Sequence, residues 1–475
     1  MANTVSPYKI LALAPFAPVP EGIYKPVFTD VDLYCLDDAV KKMEPVLYLP
    51  MDSSPGGAVT LTFKAMKDFK PKNLVKNNPV LSSLVPAFES STAKPVEKKQ
   101  GQAGKVDDIL SMVAEPDSSR VSKGDGTKSG QNLGYSASLL TEIYATAEFK
   151  EIERAWTGLQ TLAKTAGVKG IHKIHARAAS VSRASLGQVL DAIESLDMEE
   201  MPNLIVVDLG FDNSQPSIDL LEKIADFADR MMVPVFVWIK PEFFRIENFT
   251  QFHKIQYVGN HLDDISYAKF RKIKEHPGAA WIMALCNAFA VRPANDYEED
   301  VPLVSPVWAA AGLCAASVDA CGWPTSFTRY NTFRLENLAM IVDGNHAAST
   351  QALFSEDRIM QMVESGITPV VGMKNKDMAF IPKSASLNGE SIRFTMFFNR
   401  IIDGLTHLGK DLGENNADNE AMIAKALERL FVETGHQCPD DISITQNQSG
   451  VYNISFTPPD TVISGTGRLE FSFAF

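Results

Sequence analysis

A few places in the chain carry residue types that could do chemistry. His172 and His175 form an H-x-x-H pair, but on a strand two residues three apart face opposite ways. No cysteine, further histidine or paired carboxylate is placed to complete a metal set, so the pair reads as structural. Asp208 lies within the apolar run Asn203 to Phe211 (NLIVVDLGF), and carboxylates at the tips of such strands do the work in many α/β enzymes. It has no glycine fingerprint beside it and no neighbouring nucleophile or base to serve. The stretch GDGTKSG, Gly124 to Gly130, lacks the G-x-x-x-x-G-K-[ST] spacing and the preceding apolar strand of a phosphate loop. Cys35, Cys286, Cys314, Cys321 and Cys438 are odd in number and scattered, without a C-x-x-C pair, as expected of reduced, mostly buried thiols. No catalytic, cofactor-binding or metal-binding set is expected. An α/β enzyme built on Asp208 or the histidine pair is the weakest of the readings.

The elements around these residues carry more information. The 475 residues are enough for two or three domains, and 45% hydrophobic with 22% charged residues is ordinary for a soluble globular protein. No apolar run approaches the length of about 18–20 residues that a membrane span needs, and the N-terminus lacks the pattern of a signal peptide. A cytoplasmic location is therefore expected. The net charge of −13 argues against nucleic acid or an anionic membrane as partner.

The first ninety residues read as a small α+β unit. A strand is expected around Lys9 to Leu13, and Leu36, Val40 and Met43 recur at helical spacing until Pro45 forces an extended exit. Val59, Leu61 and Phe63 alternate as a strand does, and Pro71 and Pro79 each open a short helix. From residue 91 to 134 Ser, Lys, Gly, Gln and Asp dominate, a composition expected of a flexible linker. One island at residues 106–113 interrupts it. Its apolar Ile109, Leu110, Met112 and Val113 fit two turns of helix, a candidate docking peptide.

Residues 135 to 475 read as a large α/β domain. Tyr135 to Leu162 is expected to form one long or broken helix whose second part, Glu148 to Leu162, places Phe149, Ile152, Trp156, Leu159 and Leu162 on one face. NLIVVDLGF, a helix over Leu220 to Arg230, and Pro234 to Ile239 read as a βαβ unit in a buried parallel sheet. Ser305 to Pro324 is a helix rich in small residues, and the chain closes in alternating strands ending at Leu469, Phe471, Phe473 and Phe475.

The order of residues from Phe149 to Leu162 resembles the stretch F-x-x-L-E-x-x-W-R-G-L-x-x-L of the large subunit of the type VI secretion contractile sheath (TssC, also called VipB). Phe149, Glu153, Trp156, Gly158 and Leu159 stand in its places as the structural hallmark. Ile152 replaces a leucine, and Thr157 replaces the arginine before the glycine. The strand and helix segments around Asp208, Pro234, Gly322-Trp323, Gly366 and Phe398 resemble later parts of the same family. In the first ninety residues Asp32, Leu36, Asp37, Asp38, Pro45, Leu61, Phe63, Asp68, Phe69, Pro71 and Leu74 resemble the small sheath subunit (TssB, also called VipA).

The resemblance implies a contractile-sheath-protein fold in which two subunits are fused in one chain. The small subunit would span residues 1–90 and the large one 135–475, joined by the linker. It implies a structural protein without catalytic residues, which polymerises with itself into a helical tube of six-subunit rings around an Hcp-like inner tube, on a baseplate. Contraction to a more stable packing would drive the tube outward. It further implies that neighbours exchange strands, for which Lys9, Leu11, Leu469, Phe471, Phe473 and Phe475 are candidates. A ClpV-type ATPase could be recruited through the 106–113 island. A related protein that assembles without contracting is the alternative, motivated by Thr157.

Overall fold

The structure, a computed structural model, describes residues 6–51, 54, 56–84, 129–167, 173–343, 346–408, 419–447 and 450–474. The island at 106–113, His172, Phe475 and nearly all of the expected linker lie outside these. In chain order, β1 (Tyr8–Ala14) and β2 (Thr29–Val31) precede helix α1 (Leu36–Met43) and a hairpin of β3 (Val46–Pro50) and β4 (Ala58–Thr62). Helices α2 (Ser129–Ala145) and α3 (Ala147–Ala166) lead into β5 (Ile174–Ser180), α4 (Leu186–Glu194), β6 (Leu204–Phe211), α5 (Gln215–Met231) and β7 (Val235–Ile239). Then come β8 (Ile282–Cys286), α6 (Pro306–Cys321), β9 (Ile367–Pro369), α7 (Ile392–Leu408) and α8 (Asn419–Val432), with β10 (Ser443–Gln446), β11 (Tyr452–Phe456) and β12 (Leu469–Phe473) at the end.

Seven strands form the main sheet in the order β9-β8-β7-β6-β1-β5-β2. All run parallel except β2, which lies antiparallel on the edge against β5. The expected mixed α/β class is what the chain adopts. β1 sits at the centre, pairing Tyr8 to Ala14 with Ile174 to Ser180 on one side and Ile10 to Leu13 with Leu204 to Val207 on the other. This corrects the reading of Lys9 and Leu11 as an inter-subunit strand: both edges of β1 are hydrogen-bonded within the chain, so no edge remains for a neighbour. The boundary expected near residue 90 does not separate two cores either, because β1, α1, β3 and β4 contribute to the same apolar cluster as α3 and α6.

Parallel strands covered on both faces read as apolar runs because successive side chains enter opposite cores. Ile10, Ala12, Leu204, Val206, Phe236 and Met283 pack under α3 and α6, whereas Leu11, Leu13, Ile205, Val207, Val235 and Val237 pack under α4 and α5. A third, smaller core gathers Trp323, Phe397, Ile401, Leu427, Phe431 and Ile454 from α7, α8 and the β10-β11-β12 sheet.

The seam of α3 is buried as its spacing requires, with Phe149, Ile152, Trp156, Leu159 and Leu162 all at most 3% exposed. Thr146 is extended (φ −65°, ψ 141°), so the long helix expected from Tyr135 breaks into α2 and α3. Gly158 lies against the ring of Trp308 on α6, and a Cβ there would stand 2.2 Å from the indole. Gly158→Ala is expected to lower stability by about 1–3 kcal/mol through overpacking, read as an earlier midpoint in urea denaturation.

Candidate functional site

Asp208, on β6, points with Leu204 and Val206 into the core beneath α3 and α6 and is fully buried. Its Oδ2 accepts a hydrogen bond from the indole N–H of Trp308 at 2.8 Å, while Oδ1 lies 3.7 Å from Nε of Arg154 on α3. Burial pushes its carboxyl above the usual carboxylate range, opposed by the Arg154 charge and by hydrogen bonding from Ser305 and Trp308. The guanidinium of Arg154 also lies over the ring of Trp238 at the end of β7, 4.9 Å from its centre. This acid ties the sheet to two helices. It is sealed from solvent, and among the described residues no histidine, thiol or second carboxylate is bonded to it.

The second half of this constellation is a charge network at the N-terminal part of α3. Arg292 in the loop after β8 is held between Glu153 (Nη2 to Oε1, 2.6 Å) and Glu298 (Nη1 to Oε2, 2.6 Å). Burial raises the Glu153 carboxyl, and the charge of Arg292 with its hydrogen bond works the other way. The hydroxyl of Tyr144 at the end of α2 donates to Phe69 O at 2.7 Å, and its pKa is raised, burial being the main cause. Between these groups opens a cleft of about 440 Å³ bordered by Lys150, Arg154, Thr157, Trp238 and Arg292. Thr157 therefore faces a cleft already bordered by two guanidinium groups.

Phe149, Glu153, Trp156, Gly158 and Leu159 all lie on α3. Trp156 donates its indole N–H to Phe16 O, just beyond β1, at 2.9 Å, and its ring meets Phe16 edge-on at 5.0 Å. Glu153 pairs with Arg292, Gly158 admits Trp308, and Phe149 and Leu159 are buried in the shared core.

In open parallel sheets a ligand crevice forms where the strand order reverses. Here that place lies at β1, because the chain leaves β5 on one side of it and begins β6 on the other. The neighbouring strand ends are occupied by the chain's own polar groups. Asp212 accepts from Ser214 and Ser217, and Arg183 donates to Ser217 Oγ at 3.0 Å and to Gly210 O. Burial opposes ionisation of Asp212, but the hydrogen bonds from Ser214 and Ser217 bring its carboxyl to about 2. His175 is exposed and pairs with Asp30 on β2 at 3.1 Å. Among the described residues no group of three His, Cys, Asp or Glu side chains is arranged to hold a metal ion, and no helix is long and apolar enough to cross a membrane. Cys286 and Cys314 are buried, Cys321 and Cys438 half-buried and Cys35 exposed.

The candidate strand at Leu469 to Phe473 lies at the margin of the small sheet. β12 pairs with β11 alone, so its other edge carries no strand among the described residues. Phe471 meets Phe398 of α7 edge-on at 5.2 Å. Sequence reasoning passed over Arg154, Arg292 and Trp308. At helical spacing Arg154 stands among Lys150, Glu151, Thr157 and Gly158, so nothing local set it apart, and its partner stands on a different element.

Residues 199–304 match the family model described as VipB, EvpB/VC_A0108, tail sheath N-terminal domain. The segment runs from just before β6 through α5, β7 and β8 and includes Asp208, Trp238, Arg292 and Glu298. No curated protein matches the chain. Solved structures with some likeness include a chain of the anti-feeding prophage baseplate, at 10% identity over 67% of this chain and 76% of that one, TM-score 0.40. The anti-feeding prophage helical sheath in its contracted state is similar at 8% identity over 66% and 76%, TM-score 0.37. A sheath tail protein from Desulfitobacterium hafniense is similar at 10% identity over 62% and 60%, TM-score 0.36. These likenesses are too distant to carry an argument.

Proposed function

We propose that this chain is a structural subunit of a contractile sheath, polymerising into a helical tube around an inner tube and contracting to propel it. The observation that carries the reading is the match of residues 199–304 to a tail sheath N-terminal domain, since that segment supplies β6, β7 and β8 of the main sheet. The internal pairing of Asp208, Asp212 and Glu153 is consistent with it: the carboxylates that an α/β enzyme would use are spent on holding helices and loops to the sheet. In such a machine the work comes from the free-energy difference between two packings of the same subunits, and no reacting group is required.

The finer reading is a fusion, with residues 1–90 related to the small TssB-type subunit and residues 135–475 to the large TssC-type one. The outer edge of β12 is then the surface on which a neighbour's strand adds, a mode that takes its affinity from main-chain hydrogen bonds. An Hcp-like tube, a baseplate and a ClpV-type ATPase acting through the 106–113 island are the partners this reading calls for.

Negative-stain microscopy of the purified protein tests it. Tubes or stacked rings of uniform width are expected, with two lengths per ring if the assembly contracts. A compact monomer at micromolar concentration, by microscopy and by size-exclusion chromatography with light scattering, would overturn the reading.

A further inference from the structure

The C-terminal helices and strands have a core of their own, and a small set of buried charges fastens them to the centre of the main sheet. Lys9, on β1, extends its ammonium to Asp403 Oδ1 on α7 at 2.7 Å and donates to Glu199 O at 2.9 Å. Ser6 Oγ donates to Asp403 Oδ2 at 2.5 Å. Arg400, one turn earlier on α7, places Nη1 3.3 Å from Asp403 Oδ2, and its Nη2 donates to Ser6 O at 2.6 Å. The side chains of Lys9, Asp403 and Arg400 are 8%, 7% and 3% exposed, so solvent screens them little. Asn203 continues the joint: it accepts from Lys9 N at 2.8 Å and donates to Asn399 Oδ1 at 3.2 Å. His407 also faces Asp403, with Nδ1 3.7 Å from Oδ1.

The charges do not balance: one carboxylate serves two cations. Removing a single partner from a buried set leaves the others uncompensated, which is far more costly than replacing the whole set by apolar groups. The helix that carries the cluster belongs to two bodies, since Ile392 and Met396 of α7 enter the core under α3 whereas Ile401 and Leu405 enter the third core. The second attachment is of another kind. Trp323, just past α6, packs its ring against Phe397 and Phe431, each 5.2 Å away, and donates its indole N–H to Thr434 Oγ1 at 2.9 Å, an attachment that needs no charge.

We propose that Asp403 is the pin of a hinge: it holds the second half of α7 against the start of β1, and without it that half, with α8 and β10 to β12, swings about the Trp323 contact while Ile392 and Met396 keep the first turns of α7 in the core under α3. Asp403 is a positioning residue in this role. The proposal concerns the single chain and holds whether or not the protein assembles.

Hydrogen exchange on the full-length protein, followed by mass spectrometry, tests it. Asp403→Asn is expected to speed exchange at least about tenfold in residues 6–9 and in the second half of α7, with α3, β6 and β7 unchanged. The triple variant Lys9→Met, Arg400→Met, Asp403→Leu, which removes charge and keeps volume, is expected to return exchange there to the wild-type rate. Ser6→Ala, which removes one bond to the pin, gives a smaller change in the same segments and keeps the test open should Asp403→Asn fail to fold. Unchanged exchange in these segments, or an equal rise in every element, overturns the proposal; so does a triple variant that stays as fast as Asp403→Asn.

Discussion

Trp156→Ala is expected to lower the free energy of unfolding by about 3–5 kcal/mol, the range for emptying a large aromatic site in a core. Three effects add in the same direction. The ring is fully buried, so its transfer free energy is lost with little relief from exposure. Its edge contact with Phe16 at 5.0 Å disappears, and Phe16 in turn lies 6.1 Å from Trp308 on α6, so the space opens between two helices and the sheet. Phe16 O also loses the indole N–H that it accepts from at 2.9 Å. Trp156→Phe separates these effects: it keeps most of the apolar volume and forfeits the hydrogen bond, for about 1–3 kcal/mol. Urea denaturation followed by far-ultraviolet circular dichroism reads both. Equal midpoints for Trp156→Ala and wild type would show that α3 is not the packing centre described above.

Arg154→Met should cost about 3–5 kcal/mol near pH 8, as expected when one partner of a buried pair is removed, and the deficit should shrink as the pH is lowered. The sign follows from linkage. Burial already raises the Asp208 carboxyl, with Arg154 as the largest opposing influence, so the variant raises it further. A carboxyl that binds its proton more tightly in the folded than in the unfolded state penalises folding above its folded pKa. That penalty is relieved as the pH falls through the folded value toward the unfolded one, about 4. Asp403 contributes with the opposite sign. Burial disfavours its charge, yet Lys9 and Arg400 outweigh burial and hold its carboxyl below the usual range. Its contribution is present above the unfolded pKa and is lost as the pH falls through the lowered one. Thermal melts across this range should therefore show Arg154→Met gaining on wild type during mild acidification, and both declining in stronger acid. Adding Asp208→Asn to Arg154→Met should abolish the mild-acid gain; a gain that persists would place the titrating group elsewhere.

Local pattern made much of this molecule legible. The three and four spacing of Phe149, Ile152, Trp156, Leu159 and Leu162 marks α3, the apolar run at β6 marks a buried parallel strand, and Pro45 marks the exit from α1 into β3, because each signal resides within one element. Pairing between distant elements is not written this way. Lys9 to Leu13 reads as a strand and, through the family resemblance, as a candidate for exchange with a neighbour, although Ile10, Leu11, Ala12 and Leu13 are apolar on both faces, the mark of a strand covered on two sides. Asp208 looked like a strand-tip acid available for chemistry. What removes it from solvent is Trp308, on a helix 100 positions later. The Lys9 and Asp403 pair is separated by 394 positions and left no local trace at all.

The central position of β1 also has a consequence for synthesis. The middle strand of the sheet is made before its partners: Tyr8 must wait for Ile174 on one side, Ile10 for Leu204 on the other, and Lys9 for Asp403, 394 positions later. Such distant pairings are entropically late, and an apolar strand held open meanwhile is exposed to misassociation on the ribosome. Emergence of β6 and of the strands beyond it, rather than of the first ninety residues, is the step at which this sheet can close.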